Sequence, residues 1–258
     1  MENCKSAATP MEVNLKLKKL EENESPTCHP YRELVGCLTY LMLSTRPDIS
    51  SAVNILSRFQ GGASDLHWTH LKRVLRYLQG TRNYSLTYQQ TDAVSPLAGF
   101  ADADWGSDMN DRRSTSGCLF QVFGNTVSWT TRKQTSVSLS STEAEYISSS
   151  QAACEAIWLR NLLSEFNVVL ESPTVIFEDN QSCIYIATEP RDQKRMKHLD
   201  IRYNYIRECI QNGSISIEFV PTQKQLADVF TKALPANIFN KHRVALGLKG
   251  GVEIQTQH

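Results

Sequence analysis

The stretch Ser138–Tyr146, SLSSTEAEY, places two carboxylates, Glu143 and Glu145, behind a run of hydroxyl residues and ahead of a long segment with helical spacing. Ile147, Trp158, Leu159 and Leu162 share one helical phase, which predicts a helix from this stretch to about Leu163. Thr142 followed three residues later by Glu145 fits a capping box at its start. An acid in a first turn gains about 0.3–1 kcal/mol from the helix dipole, so one such Glu says little about chemistry. Two of them, two positions apart, lie roughly 200° around the helix from each other and cannot both face one site. One is free for chemistry and the other is a cap or surface charge; spacing alone leaves open which.

Upstream of the helix, LAGFAD reads as a strand ending in Asp102, and CLFQVFG and TVSWTT read as two more with a turn at Gly124–Asn125. Downstream, TVIFED is a strand ending in Asp179 that turns at once into a short helix, QSCIYIA. A basic helix over about Lys197–Gln211 follows, stopped by Gly213, then the strand SISIEFV and a final helix over Gln223–Leu234 carrying Asp228. Three strands, helix, strand, two helices, strand and helix make a mixed α/β layer. Before Pro96 the pattern differs: residues 1–30 are a polar lead-in with Pro10 and Pro26, and three helices then follow from Tyr31 to Leu78.

Composition sets the outer limits. At 258 residues the chain has room for one large domain or two smaller ones, and 41% hydrophobic with 21% charged residues is ordinary for a globular protein. No apolar run approaches the roughly 18 residues of a membrane span. The N-terminal residues lack a secretory pattern, and the seven scattered cysteines include no Cys-x-x-Cys pair, so reduced thiols and an intracellular, soluble protein are expected. A formal net charge of zero argues against coating nucleic acid by bulk potential. Local basic runs remain: Arg191, Lys194, Arg195, Lys197, Arg202 and Arg207 in one segment, and Lys72, Arg73, Arg76 and Arg82 near Trp68 and His70 in another. Either is a solvated helix face or a phosphate track.

Asp102 and Asp179 end apolar strands, where side chains project into a cleft at the sheet end. Glu145 in a first turn and Asp228 in the late helix complete four acids that one sheet can gather. Such crowding raises carboxylate pKa values unless a cation intervenes. Oxygen ligands without Cys or His favour magnesium or manganese over zinc, and two such ions can clamp the attacking and leaving oxygens of a phosphodiester. Asp104, two residues past Asp102, shares its strand face, so periodicity leaves the choice within DADW open.

Read together, GFADADWGSD, DRRSTSGCLF, VSWTTRKQTSVSLSSTEAEYISSSQAACEAIWL, FEDNQSCIYIA, KHLDIRYNYIRE and QLADVFTKAL resemble, in order over about Pro96–Leu234, the ribonuclease H domain of Ty1/copia-type retrotransposon Pol polyproteins. YRELVGCLTYLMLSTRPDISSAVNILSRF and HWTHLKRVLRYLQGT resemble the segment after the reverse transcriptase palm in the same polyproteins. The resemblance implies a lead-in over 1–30, a thumb- or connection-like helical segment over 31–92, a ribonuclease H-like domain over 96–234 with a mixed five-stranded sheet flanked by helices, and a tail over 235–258. It assigns metal binding and catalysis to Asp102 in FAD, Glu145 in AEYIS, Asp179 in FEDNQ and Asp228 in QLADVF. Glu143 is left with the capping role.

The activity so implied is metal-dependent hydrolysis of the RNA strand of an RNA–DNA hybrid, with two Mg2+ ions, or Mn2+. Ser140, Ser141, Asn180 and Gln181 offer donors and acceptors for a 2′-hydroxyl, or else ordinary cap chemistry. Lys194, Arg195 and Lys197 offer a phosphate track. The expected partners are the hybrid and the reverse transcriptase portion of the same polyprotein, with no membrane. The expected location is the cytoplasm, within a virus-like particle, or the nucleus. Two departures stand against the pattern: Val220–Gln225 lacks the histidine that many cellular ribonucleases H carry before the last acid, and no Tyr-x-Asp-Asp pair is present. The alternatives are a non-catalytic nucleic-acid-binding remnant of such a polyprotein and a structural domain whose acids serve solubility.

Overall fold

The structure, a computed structural model, describes residues 4–90, 95–189 and 200–250, and of residues 200–203 the backbone alone. Arg191, Lys194, Arg195 and Lys197, expected to form a phosphate track, therefore lie outside the described residues. The chain forms two compact units, one from residues 89–232 and one from residues 1–88 together with 233–258.

The first of these units is built on a five-stranded sheet. Its strands are β2 (Leu97–Asp104), β3 (Thr115–Val122), β4 (Asn125–Lys133), β5 (Thr174–Glu178) and β6 (Ile215–Phe219), in the spatial order β4-β3-β2-β5-β6. β2, β3 and β4 are antiparallel neighbours, whereas β5 runs parallel to β2 and β6 parallel to β5. The fold is thus the α/β class with a mixed five-stranded sheet flanked by helices. Phe123 and Gly124 join β3 to β4 with φ of 46° and 73°. Two consecutive positive-φ residues are what a tight hairpin needs to match strand twist. Because β2 and β5 are parallel and adjacent, their carboxyl ends open at the same edge of the sheet, where ligands of α/β sheets bind.

Helix α4 (Ser141–Glu165) packs across β2 and β3. Its buried face is mostly small: Ala144, Ser148, Ala152, Ala153 and Ala156, with Leu159 beyond. Trp158 and Leu162, which share the phase of the apolar pattern, stand exposed instead. Small side chains let the helix axis approach the strands, and the Ser148 hydroxyl donates to the main-chain carbonyl of Asp102 at 2.8 Å. The helix also begins differently from the expected Thr142–Glu145 box. Ser140 is the N-cap, accepting from the Glu143 amide at 3.2 Å, and Glu143 Oε2 accepts from the Leu139 amide at 2.9 Å. The cap set two residues earlier occupies Glu143 and leaves Glu145 to the inner face.

Beyond β5, α5 (Gln181–Thr188), α6 (Asp200–Gln211) and β6 follow in the expected order. The single helix expected over Gln223–Leu234 is a short 3-10 turn at Thr222–Lys224 and then a four-residue helix, α7 (Asp228–Thr231). Gln225 breaks it. Its backbone is extended at ψ 98°, and its buried amide reaches across to the carbonyls of Ala101 and Phe177 at 2.8 and 3.2 Å.

In the second unit, α1 (Tyr31–Ser44), a 3-10 turn at Pro47–Ile49, α2 (Ser50–Ser57) and α3 (Asp65–Gly80) form the helical layer. Arg46, buried, chelates Asp48 through Nε and Nη2 at 2.9 and 2.8 Å and also donates to Thr81, a charge-assisted network that holds the turn against α3. The residues after 235 are more than a tail: α8 (Ala236–Ala245) sets Phe239 edge-on to Tyr77, and β7 (Leu248–Gly250) pairs antiparallel with β1 (Tyr84–Leu86). Part of the basic stripe on α3 is used internally. Arg73 pairs with Glu12 at 2.9 Å, Arg76 donates to the Lys5 carbonyl at 2.7 Å, and Trp68 stacks on His29, so these side chains pin the N-terminal segment.

Candidate metal centre

The carboxyl edge of the sheet gathers three of the four acids. Asp102 sits on β2, Glu145 one turn into α4 and Asp179 one residue past β5, and each offers an oxygen within 4.8 Å of the others. Asp102 and Glu145 are buried, while Asp179 is half-buried. Geometry thereby separates the pairs that spacing left open: Asp104 and Glu143 lie outside this cluster, and Glu143 is occupied at the helix cap.

Neighbouring side chains hold the cluster in place. The Thr231 hydroxyl donates a short hydrogen bond to Asp102 Oδ2, and the Thr222 hydroxyl donates to Asp179 Oδ2 at 2.6 Å. Thr222 stands in the loop where the expected histidine is missing, so that loop still touches an acid of the site. Glu178, behind Asp179, is fully buried; it accepts from the Asn180 amide at 3.0 Å and the Ser149 hydroxyl at 2.9 Å, fixing the turn from which Asp179 projects. Gly117, opposite Asp102 on β3, makes room for α7: a Cβ there would lie 2.7 Å from Thr231 Cγ2 and 2.8 Å from Phe230 Cβ.

The fourth acid has a different partner. Asp228 Oδ1 pairs with Lys232 Nζ at 2.7 Å, one helical turn along, and the same ammonium stands 3.7 Å from Asp102 Oδ1. Burial and the negative neighbours shape the titration. Desolvation first, then Asp102, push Asp228 up to about 7 despite Lys232. Burial pushes Glu178 up to about 8, and burial with Glu178 and Asp102 raises Glu145 well above the usual carboxylate range. Burial alone would lower Lys232, but Asp102 and Asp228 raise it.

The donor set fits a hard divalent cation. Three carboxylates converge with no Cys or His among them, and buried Glu145 Oε2 has no hydrogen-bond partner. A buried carboxylate oxygen left unsatisfied is costly unless a cation takes it. Oxygen-only donors suit Mg2+ or Mn2+.

The proposed nucleic-acid contacts are partly committed elsewhere. Asn180 Oδ1 caps α5 by accepting from the Cys183 amide at 3.0 Å, and Ser140 caps α4. Ser141 and Gln181 are exposed in the first turns of the same two helices, beside the cluster in sequence. Gln225, Thr222, Thr231 and Glu178 went unread in the sequence. Lys232 had a legible signal, an acid–lysine pair spaced for one helical turn.

Fold and site define an α/β domain with a cluster of three carboxylates, Asp102, Glu145 and Asp179, at the carboxyl ends of two parallel strands. The chain is 37% identical over 254 residues to the retrovirus-related Pol polyprotein from transposon TNT 1-94 of Nicotiana tabacum, covering 96% of this chain and 19% of that protein. It is 39% identical over 248 residues to the Pol polyprotein from transposon RE2 of Arabidopsis thaliana, covering 96% of this chain and 17% of the relative. Among solved structures it is similar to RNase H1 from the archaeon Halobacterium salinarum NRC-1, with 18% identity, a TM-score of 0.40, and coverage of 52% of this chain and 93% of that one. No family model matches. The chain belongs to the Ty1/copia-type retrotransposon Pol polyproteins, and it spans about a fifth of the length of these two relatives.

Proposed function

We propose that the unit of residues 89–232 is a ribonuclease H that hydrolyses the RNA strand of an RNA–DNA hybrid with a divalent metal, and that its parent is a Pol polyprotein whose reverse transcriptase portion supplies the hybrid. One observation carries the reading: Asp102, Glu145 and Asp179 converge within 4.8 Å at the open edge of the sheet, in a chain of this family. Mg2+ or Mn2+ held there would supply Lewis acidity toward a phosphodiester and lower the pKa of an attacking water. The chain's own contributions are positional. Ser148, Thr231 and Gln225 fix the end of β2, and Glu178 and Thr222 fix Asp179, so the carboxylates are preorganised before any ligand arrives. Exposed Ser141 and Gln181 are the side chains we assign to the 2′-hydroxyl face, and Lys194, Arg195 and Lys197 to the phosphates.

The test is incubation of the chain with a 5′-labelled RNA–DNA hybrid, with and without Mg2+. Cleavage of the RNA strand that needs the metal and is lost in Asp179→Asn is the expected result. Binding of hybrid without cutting at any protein concentration, with parent and variant indistinguishable, identifies the non-catalytic binding module instead.

A further inference from the structure

The four acids do not form one equivalent set. Asp102, Glu145 and Asp179 offer oxygens within 4.8 Å of one another, and Glu145, only 6% exposed, leaves its buried Oε2 without a hydrogen-bond partner. On the other side of Asp102, the gap to Asp228 is already filled by a cation that belongs to the chain: Lys232 Nζ lies 2.7 Å from Asp228 Oδ1 and 3.7 Å from Asp102 Oδ1. The side chain of Lys232 is 34% exposed, so its ammonium can leave toward solvent, whereas both carboxylates are almost fully buried and cannot. Asp228 sits on the short helix α7, and Lys232 directly follows Thr231, whose hydroxyl holds the other oxygen of Asp102. One short segment therefore delivers both an acid and its counter-ion to the edge of the cluster.

Resting on the metal reading above, we propose that Lys232 is a resident cation that sets the number of divalent ions the free chain accepts: one at Asp102, Glu145 and Asp179, with the Asp102–Asp228 side closed until the ammonium is withdrawn. The physical reason is electrostatic. A divalent ion entering between Asp102 and Asp228 meets a positive charge at contact distance and two carboxylates already partly neutralised, both of which weaken its binding. A polyanionic ligand changes this balance, because a phosphate beside the site gives the ammonium of this partly exposed side chain another partner and frees Asp228 for an ion. Lys232 is thus a positioning residue whose charge, rather than any proton transfer, does the work.

The experiment counts Mn2+ on the full chain without nucleic acid, from the electron paramagnetic resonance signal of free Mn2+ and from calorimetric titration. The parent should bind one ion per chain, Lys232→Met two, and Lys232→Arg, which keeps the charge, one. The second site in Lys232→Met should be at least tenfold tighter than any second binding in the parent. Lys232→Gln provides a second neutral variant, and circular dichroism shows that each counted protein is folded. One ion in both neutral variants, at the affinity of the parent, overturns the proposal and leaves the metal centre standing. No ion on any of the proteins overturns both.

Discussion

The side-chain amide of Gln225 donates to the main-chain carbonyl of Ala101 at 2.8 Å, across 124 positions of sequence, and its second donor contact is the Phe177 carbonyl at 3.2 Å. One buried side chain thereby ties the segment leading to Asp228 to both parallel strands, each just before its acid. Its Oε1 in turn accepts from the Ala227 amide at 3.2 Å.

Replacing Gln225 with Leu keeps the volume but strands these buried backbone groups, each costing about 1–3 kcal/mol when left without a partner. Gln225→Leu should therefore lower the melting temperature by several degrees. It should also weaken Mn2+ binding, because the ends of β2 and β5 lose their common clamp. A variant with the melting temperature and Mn2+ affinity of the parent would remove Gln225 from the account.

Glu143 and Glu145 should separate cleanly by assay. Glu143→Ala removes the acceptor of the Leu139 amide and an acid from the first turn, a loss of about 1–2 kcal/mol in stability with metal-dependent cutting retained. Glu145→Gln should instead raise the stability of the metal-free chain at neutral pH, since it removes a carboxyl that must take up a proton on folding because burial, Glu178 and Asp102 oppose its charge. It should also abolish both cutting and the rise in melting temperature caused by Mg2+. Melting curves with and without Mg2+, beside the hybrid assay, distinguish the two acids.

At Gly117 there is no room for a methyl group. The added Cβ of Gly117→Ala would press on Thr231 and Phe230 at 2.7–2.8 Å, and α7 would have to move away from β3. Overpacking of this kind costs about 1–3 kcal/mol. Since Thr231 holds Asp102 and Lys232 follows it, the variant should lose activity beyond its loss of stability, read from cleavage rates at a temperature where it remains folded.

What the sequence disclosed follows from how local each signal is. Strand order, the long helix and the acids at element ends were legible because alternation, helical phase and a charge at the end of an apolar run are properties of neighbouring residues. The cap lies two positions before Thr142, a shift the sequence does not show because Ser140, Ser141 and Thr142 are chemically alike at a helix start and only contacts such as Glu143 with the Leu139 amide distinguish them. The last helix is shorter than its sequence pattern suggests because Gln225, reaching Ala101 and Phe177, interrupts it through contacts that no window of sequence contains. Trp158 and Leu162 mark helix phase yet lie exposed, since the buried face of α4 is set by what small residues allow against β2 and β3.

The cluster also predicts how stability changes with pH. Asp228 is pushed up to about 7 and Glu178 to about 8, each chiefly by burial, and Glu145 is raised in the same sense. Without metal, the folded chain thus holds protons between about pH 4 and 8 that the unfolded chain has released. A raised carboxylate contributes stability that is fully present below the unfolded pKa and is lost as pH rises through the folded pKa. The slope is at most about 1.4 kcal/mol per pH unit for each proton held. Asp108 carries the opposite sign: burial would raise it, but the Lys133 ammonium at 2.5 Å and the Asn110 contacts hold it well below the usual range, so its contribution is lost only in stronger acid. Between pH 5 and 8 in a chelator the melting temperature should therefore fall. Mg2+, which binds the ionised carboxylates, should raise it more at pH 8 than at pH 5. Melting curves across this range in EDTA and in Mg2+ measure both trends, and a metal-free melting temperature that rises toward pH 8 would show that these acids are ionised without help from a cation.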